Sequence, residues 1–111
     1  MGTHWLFDFA GCDRAVIDDE AAVRRALVEA AGIAGATIVA EVFHRFSPQG
    51  VTGVLVLAES HLAAHSWPEL GSVAVDLFSC NPELRARDVA AFLRAAFQAE
   101  SVTLRQYGRG E

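Results

Sequence analysis

The chain has 111 residues, nine of them basic and fourteen acidic, for a net charge of -5. All nine basic residues are arginine, and the absence of lysine excludes chemistry that needs a lysine amine: the pyridoxal phosphate Schiff base, the lysine-dependent aldolase and the P-loop phosphate clamp. A hydrophobic content of 52% fits one compact domain over residues 1–111, and arginines scattered on an acidic background make nucleic acid and membrane surfaces poor partners.

In chain order, residues 4–9 have the aromatic and aliphatic character of a strand, ended by Gly11-Cys12-Asp13. Asp18 or Asp19 is expected to cap a helix running to about Ala31, with Val23, Ala26, Leu27 and Ala30 on one stripe. Residues 36–44 and 51–58 read as strands joined by the turn Ser47-Pro48-Gln49-Gly50. A polar, histidine-bearing segment over residues 59–69 reads as a connecting loop, and residues 72–80 as another strand. Asn81-Pro82 is a helix start with Asn as cap, for a helix carrying Val89, Phe92, Leu93 and Ala96, and residues 101–106 supply a last strand. No run is long and apolar enough to span a bilayer, and no export signal is read. The expected location is therefore cytoplasmic, with Cys12 and Cys80 as free thiols.

We summarise this pattern as an α+β fold: a two-layer β-α-β-β-α-β protomer, its sheet mainly antiparallel with two helices on one face. Val54, Val56 and Ala58 alternate with Leu55 and Leu57, so that strand is apolar on both faces, as is the one carrying Val73, Val75 and Leu77 with Ala74 and Phe78. Two helices cover only one face. The other face needs an apolar partner, and a second copy of the chain is the economical one.

The densest reactive groups lie in residues 59–69, where two carboxylates, two hydroxyls, two imidazoles and an indole share eleven positions. A plain polar loop collects the same residue types. His61 and His65 have a one-face helical spacing, but the Glu of a zinc-protease motif is missing, so no metal is expected. Ser60 is not in a Gly-x-Ser-x-Gly elbow, and a serine with a histidine five residues on is common. Composition and spacing therefore support an active-site segment without naming its reaction.

Ala58-Glu59-Ser60-His61-Leu62, His65-Ser66-Trp67-Pro68-Glu69 and Asp76-Leu77-Phe78-Ser79-Cys80 together resemble the signature of the small prokaryotic, pyruvoyl-dependent S-adenosylmethionine decarboxylase proenzymes. Gly11-Cys12-Asp13, Gly35-Ala36-Thr37-Ile38, Phe43-His44-Arg45-Phe46 and Gly50-Val51-Thr52-Gly53-Val54 extend the resemblance over nearly the whole chain. It implies self-cleavage between Glu59 and Ser60 into fragments 1–59 and 60–111, with Ser60 becoming a pyruvoyl group that forms a Schiff base with the substrate amine. It also implies that His65 is the acid/base residue of processing and Cys80 the proton donor. These parts suit imidazole, which titrates near neutrality, and a thiol. By the same resemblance Thr52 supports processing, Phe46, Trp67 and Glu69 bind substrate, and Asp8 matches an acidic position on the first strand. Ordinary packing is the competing role for Cys80 and the aromatic residues.

The resemblance further implies a homodimer, an αββα sandwich with sites near the subunit interface, and product destined for spermidine synthesis. No pyridoxal phosphate is expected. Leu70-Gly71-Ser72 departs from the Tyr-Gly-Tyr common in the family, and Ser66 stands where Thr is usual. Pyruvoyl-dependent ornithine or arginine decarboxylation is therefore the alternative within the family, and a non-catalytic small-ligand-binding α+β domain the alternative of another class.

Overall fold

The computed structural model describes residues 2–81 and 84–110. Strand β1 (Gly2–Ala10) turns Trp5, Phe7 and Phe9 into the core and Leu6 and Asp8 to the other face. The chain then reverses through Gly11 at φ 67, a conformation that a glycine adopts without steric cost. Where one helix was expected there are two. Asp13 caps the short α1 (Arg14–Ile17) by accepting from the Val16 amide at 3.0 Å, and Asp19 caps α2 (Glu20–Ile33) through the Ala21 and Ala22 amides. Asp18 lies between them, outside both.

Strands β2 (Ile38–Arg45), β3 (Val51–Leu57) and β4 (Ser60–Trp67) follow, then a single 3₁₀ turn (Pro68–Leu70), β5 (Ser72–Ser79), α3 (Ala86–Ala96) and β6 (Ser101–Arg109). They form one six-stranded sheet in the order β2-β3-β4-β5-β1-β6, antiparallel at every neighbouring pair. The α+β class and the helices on one face agree with the sequence reading. The summary order β-α-β-β-α-β counts four strands where the segments read individually number five, and the structure adds a sixth, β4.

The largest difference is residues 59–69, read as a loop and in fact the second residue of a tight turn, all of β4 and the first two residues of the 3₁₀ turn. Leu62, Ala64 and Ser66 of β4 are buried under the helices while His61, Ala63, His65 and Trp67 point the other way. Because that second set is mostly polar, the two-residue period is hidden among the reactive side chains. The expected Asn81-Pro82 helix start falls partly on Pro82, outside the described residues, and α3 begins at Ala86 with Arg85 at its N-cap and no side-chain cap.

The core lies between the helices and one sheet face, built from Phe7, Phe9, Leu27, Leu55, Leu62, Leu77, Leu93 and Phe97, each at most 2% exposed. Each such side chain withdrawn from water contributes about 1.5–3 kcal/mol, which anchors the strands in a fixed register. The opposite face bears no layer of its own. Cross-strand pairing sets Val42, Val54, Ala63, Asp76, Leu6 and Arg105 in one row across it. Val56, His61, Phe78, His4 and Tyr107 form the next row, with Val42 69% and Val56 44% exposed.

Candidate active site

The hairpin between β3 and β4 has only Ala58 and Glu59 as its central residues, because Leu57 and Ser60 are paired. Glu59 sits at φ 63, the left-handed region that costs a side-chain-bearing residue on the order of 1 kcal/mol. Glu59 and Ala58 are exposed, so the Glu59–Ser60 peptide bond lies at an accessible, strained tip. The Ser60 hydroxyl reaches the Ala58 carbonyl at 3.4 Å. On its other side Ser60 pairs with Ser79 of β5, and Cys80 is the next residue. Cys80 is an exposed free thiol, whereas Cys12 is buried and its pKa is pushed up to about 11 by desolvation. Exposure removes the buried-packing role considered for Cys80.

His65 lies at the opposite end of β4, directly across from Thr52 of β3, whose hydroxyl oxygen is 3.1 Å from its Nδ1. The Trp67 ring is 6.4 Å from the His65 ring, and Phe46, just past β2, rests against His44 with ring centres 4.5 Å apart. Phe46, Thr52, His65, Trp67 and Glu69 share a cleft of about 260 Å³ with Gln49, Gly50 and Ser66. Small-molecule sites usually enclose about 300–1,000 Å³, so this cleft is smaller than a typical complete site. Asp8 is on the same sheet face as His65, across Ala74 from it, and its carboxylate is 3.4 Å from the Arg105 guanidinium. A larger cavity of about 1170 Å³ between α3 and β6, lined by Trp5, Arg87, Arg94 and Gln106 among others, contains none of the expected site residues.

The expected residues thus fall into two groups, Glu59, Ser60 and Cys80 at one end of β4 and Thr52, His65, Phe46, Trp67 and Glu69 at the other. Five residues separate Ser60 from His65. Along a strand that is about 16 Å, and the odd separation sends the two side chains to opposite faces. One protomer therefore does not bring them together.

Sequence reasoning missed several groups around this site because the contacts join distant residues. Ser66 donates from its hydroxyl to the Ile17 carbonyl at 2.7 Å and accepts from the Val51 amide at 2.8 Å. Asp18 accepts from the Gly50 amide and from Arg45, which together hold its carboxyl below the usual carboxylate range. On the bare face His61 stacks on Phe78 with ring centres 6.0 Å apart, and the Nε2 atom of His4 beside them is buried without a hydrogen-bond partner. Among the described residues no three His, Cys, Asp or Glu side chains are grouped to hold a metal ion, and no helix is long and apolar enough to cross a membrane.

Residues 3–110 match the protein family described as S-adenosylmethionine decarboxylase. An S-adenosylmethionine decarboxylase proenzyme of Pelotomaculum thermopropionicum is 46% identical over 110 residues, covering 99% of this chain and 87% of the relative. One from Acetivibrio thermocellus is 43% identical, covering 99% of this chain and 89% of the relative. Among solved structures, the adenosylmethionine decarboxylase of Aquifex aeolicus is similar with a TM-score of 0.89 at 30% identity, covering 100% of this chain and 92% of the other.

Proposed function

The chain belongs to the S-adenosylmethionine decarboxylase family, and on that premise we propose that it is a self-cleaving decarboxylase of S-adenosylmethionine whose product feeds polyamine synthesis. The observation that carries this reading is the Glu59–Ser60 bond itself, held at an exposed two-residue turn in left-handed geometry beside Ser79 and Cys80. The names of the relatives as proenzymes support cleavage.

In the proposed processing the Ser60 hydroxyl adds to the Glu59 carbonyl carbon and the amide becomes an ester. Elimination then releases the Glu59 carboxylate, and water displaces ammonia to leave a pyruvoyl group at residue 60. The site fits this group: a serine at a strained turn, a hydroxyl within local reach of the backbone, and a new chain end free of the hairpin after cleavage. Once formed, the group supplies an electron sink for decarboxylation, a part that lysine-bound pyridoxal phosphate plays elsewhere. The thiol of Cys80, exposed two residues past the strand row of Phe78, would be the proton donor to the substrate carbon that loses carbon dioxide.

His65 is the processing acid/base residue, and its Nδ1 is engaged by Thr52, which leaves Nε2 for proton transfer. Phe46 and Trp67 offer ring faces to the substrate's aromatic and cationic parts, and the exposed Glu69 carboxylate accepts from sugar hydroxyls. Because His65 and Ser60 lie at opposite ends of β4, the working enzyme is a homodimer. A two-fold axis between the sheets and across the strands lays the Ser60 end of one protomer over the His65 end of its partner. The same packing covers Val42, Val54, Val56 and Phe78. With no helix suited to crossing a membrane among the described residues, a cytoplasmic location accords with this reading.

Intact mass spectrometry tests the reading: an active preparation contains fragments 1–59 and 60–111, and a chain that stays uncut at full length contradicts it. Carbon dioxide release from S-adenosylmethionine, ornithine and arginine, measured in parallel, checks the substrate. Release from ornithine or arginine alone rejects S-adenosylmethionine, and release from none favours a non-catalytic binding domain.

A further inference from the structure

The cleft at the His65 end is closed on one side by the turn over residues 46–50, and that turn has little of its own to hold it. It follows β2, an edge strand exposed along most of its length, and Phe46, Ser47, Pro48 and Gln49 are all exposed. Its internal hydrogen bond runs from the Phe46 amide to the Gly50 carbonyl at 2.8 Å, which shapes the turn without fixing where it lies.

Its anchor is Asp18, in the break between α1 and α2. One carboxylate oxygen accepts from the Gly50 amide at 2.8 Å, the other from the Arg45 guanidinium at 2.8 Å, and the Asp18 carbonyl accepts from Arg45 Nε at 3.2 Å. The same guanidinium donates to the Pro48 carbonyl at 3.2 Å. Both sides of the turn are thereby tied to one carboxylate, with Arg45 immediately before Phe46. The preceding residue, Ile17, is tied by its carbonyl to Ser66 and through it to Val51 at the start of β3. The α1 segment therefore braces the turn against the strands that carry Thr52, His65 and Trp67. Charge-assisted hydrogen bonds of this kind are shorter and stronger than neutral ones, so they are suited to holding an exposed loop.

We propose that Asp18 is a positioning residue for substrate binding, fixing through Arg45 and Gly50 the place of the Phe46 ring opposite Trp67 and Glu69. This rests on reading that cleft as the substrate end of the site. Asp18 touches no reacting atom. It sets the distance across the cleft and so affects binding more than chemistry.

The test uses the full-length, processed protein and S-adenosylmethionine, with kcat expressed per cleaved chain. Asp18→Ala raises KM about tenfold while kcat stays within about twofold, the pattern of lost binding rather than lost transition-state contact. Asp18→Asn, which keeps an acceptor for Gly50 but loses the charge for Arg45, falls between. A double-mutant cycle separates positioning from general weakening: Asp18→Ala in a Phe46→Ala background raises KM no further than Phe46→Ala alone. Should Asp18→Ala fail to fold, the exposed Arg45→Gln takes its place in the same cycle. An unchanged KM, or effects that multiply in the double variant, overturns the proposal while leaving the decarboxylase reading intact. A wild-type protein that neither cleaves nor turns over S-adenosylmethionine overturns that reading and this inference with it.

Discussion

The two ends of β4 are built from the same strand and present different chemical groups. At the Ser60 end the backbone is strained, with Glu59 in left-handed geometry, and the reactive groups are a hydroxyl and a thiol. At the His65 end the groups are aromatic rings, a carboxylate and an imidazole already engaged by Thr52, around a small cleft braced from behind by Asp18 and Ser66. In the proposed function one end breaks a bond and the other holds a molecule. Since a strand keeps them about 16 Å apart, the proposed mechanism gives the bare sheet face a part: a second copy packed on it would supply the missing half.

The comparison is broken most severely by Ser60→Ala. It leaves one uncut chain with no measurable decarboxylation, read by intact mass and carbon dioxide release. Next, Cys80→Ala still yields fragments but decarboxylates about 10²–10⁴-fold more slowly, the usual contribution of a placed proton donor. Val54→Asp puts an unpaired charge in the middle of the bare face, where burial against a partner costs several kcal/mol. It is expected to shift the protein to monomer in sedimentation and to lower activity, while the far-ultraviolet circular dichroism of the chain stays native. The smallest effect comes from Cys12, which sits behind the His65 end with its amide bonded to the Gly71 carbonyl at 2.9 Å. Its thiol pKa is raised to about 11, so the folded state favours the protonated form. The contribution is complete below the ordinary thiol range and is lost as pH rises toward 11, a decline that Cys12→Ala removes from the denaturation midpoints.

The antiparallel α+β architecture was readable because its signals are local: Phe7 and Phe9 two apart in β1, Val89 and Leu93 four apart in α3, the glycines and prolines between them. The apolar residues on the second face of β3 and β5 were legible in the same way, and the partner expected to cover them belongs to the proposed function. Strand β4 was not readable as a strand, since its outward side chains are the site's own polar groups and masked the period of Leu62, Ala64 and Ser66. The resemblance supplied Ser60, His65 and Cys80 as names without their arrangement. That they stand at opposite ends of a strand follows only from register, and the Asp18–Gly50 bond, spanning 32 positions, has no sequence signature.

The most direct test of the shared site is co-expression of Ser60→Ala with His65→Ala chains, each carrying a different mass tag. In the mixed dimer one site has lost both residues and the other keeps Ser60 from one chain and His65 from its partner. The account predicts that the His65→Ala chain is cut in the mixture far faster than when expressed alone. Decarboxylation should return to roughly a quarter of the wild-type level, since about half the dimers are mixed and each has one complete site. A His65→Ala chain that remains as uncut in the mixture as it is alone would contradict a site built from two protomers.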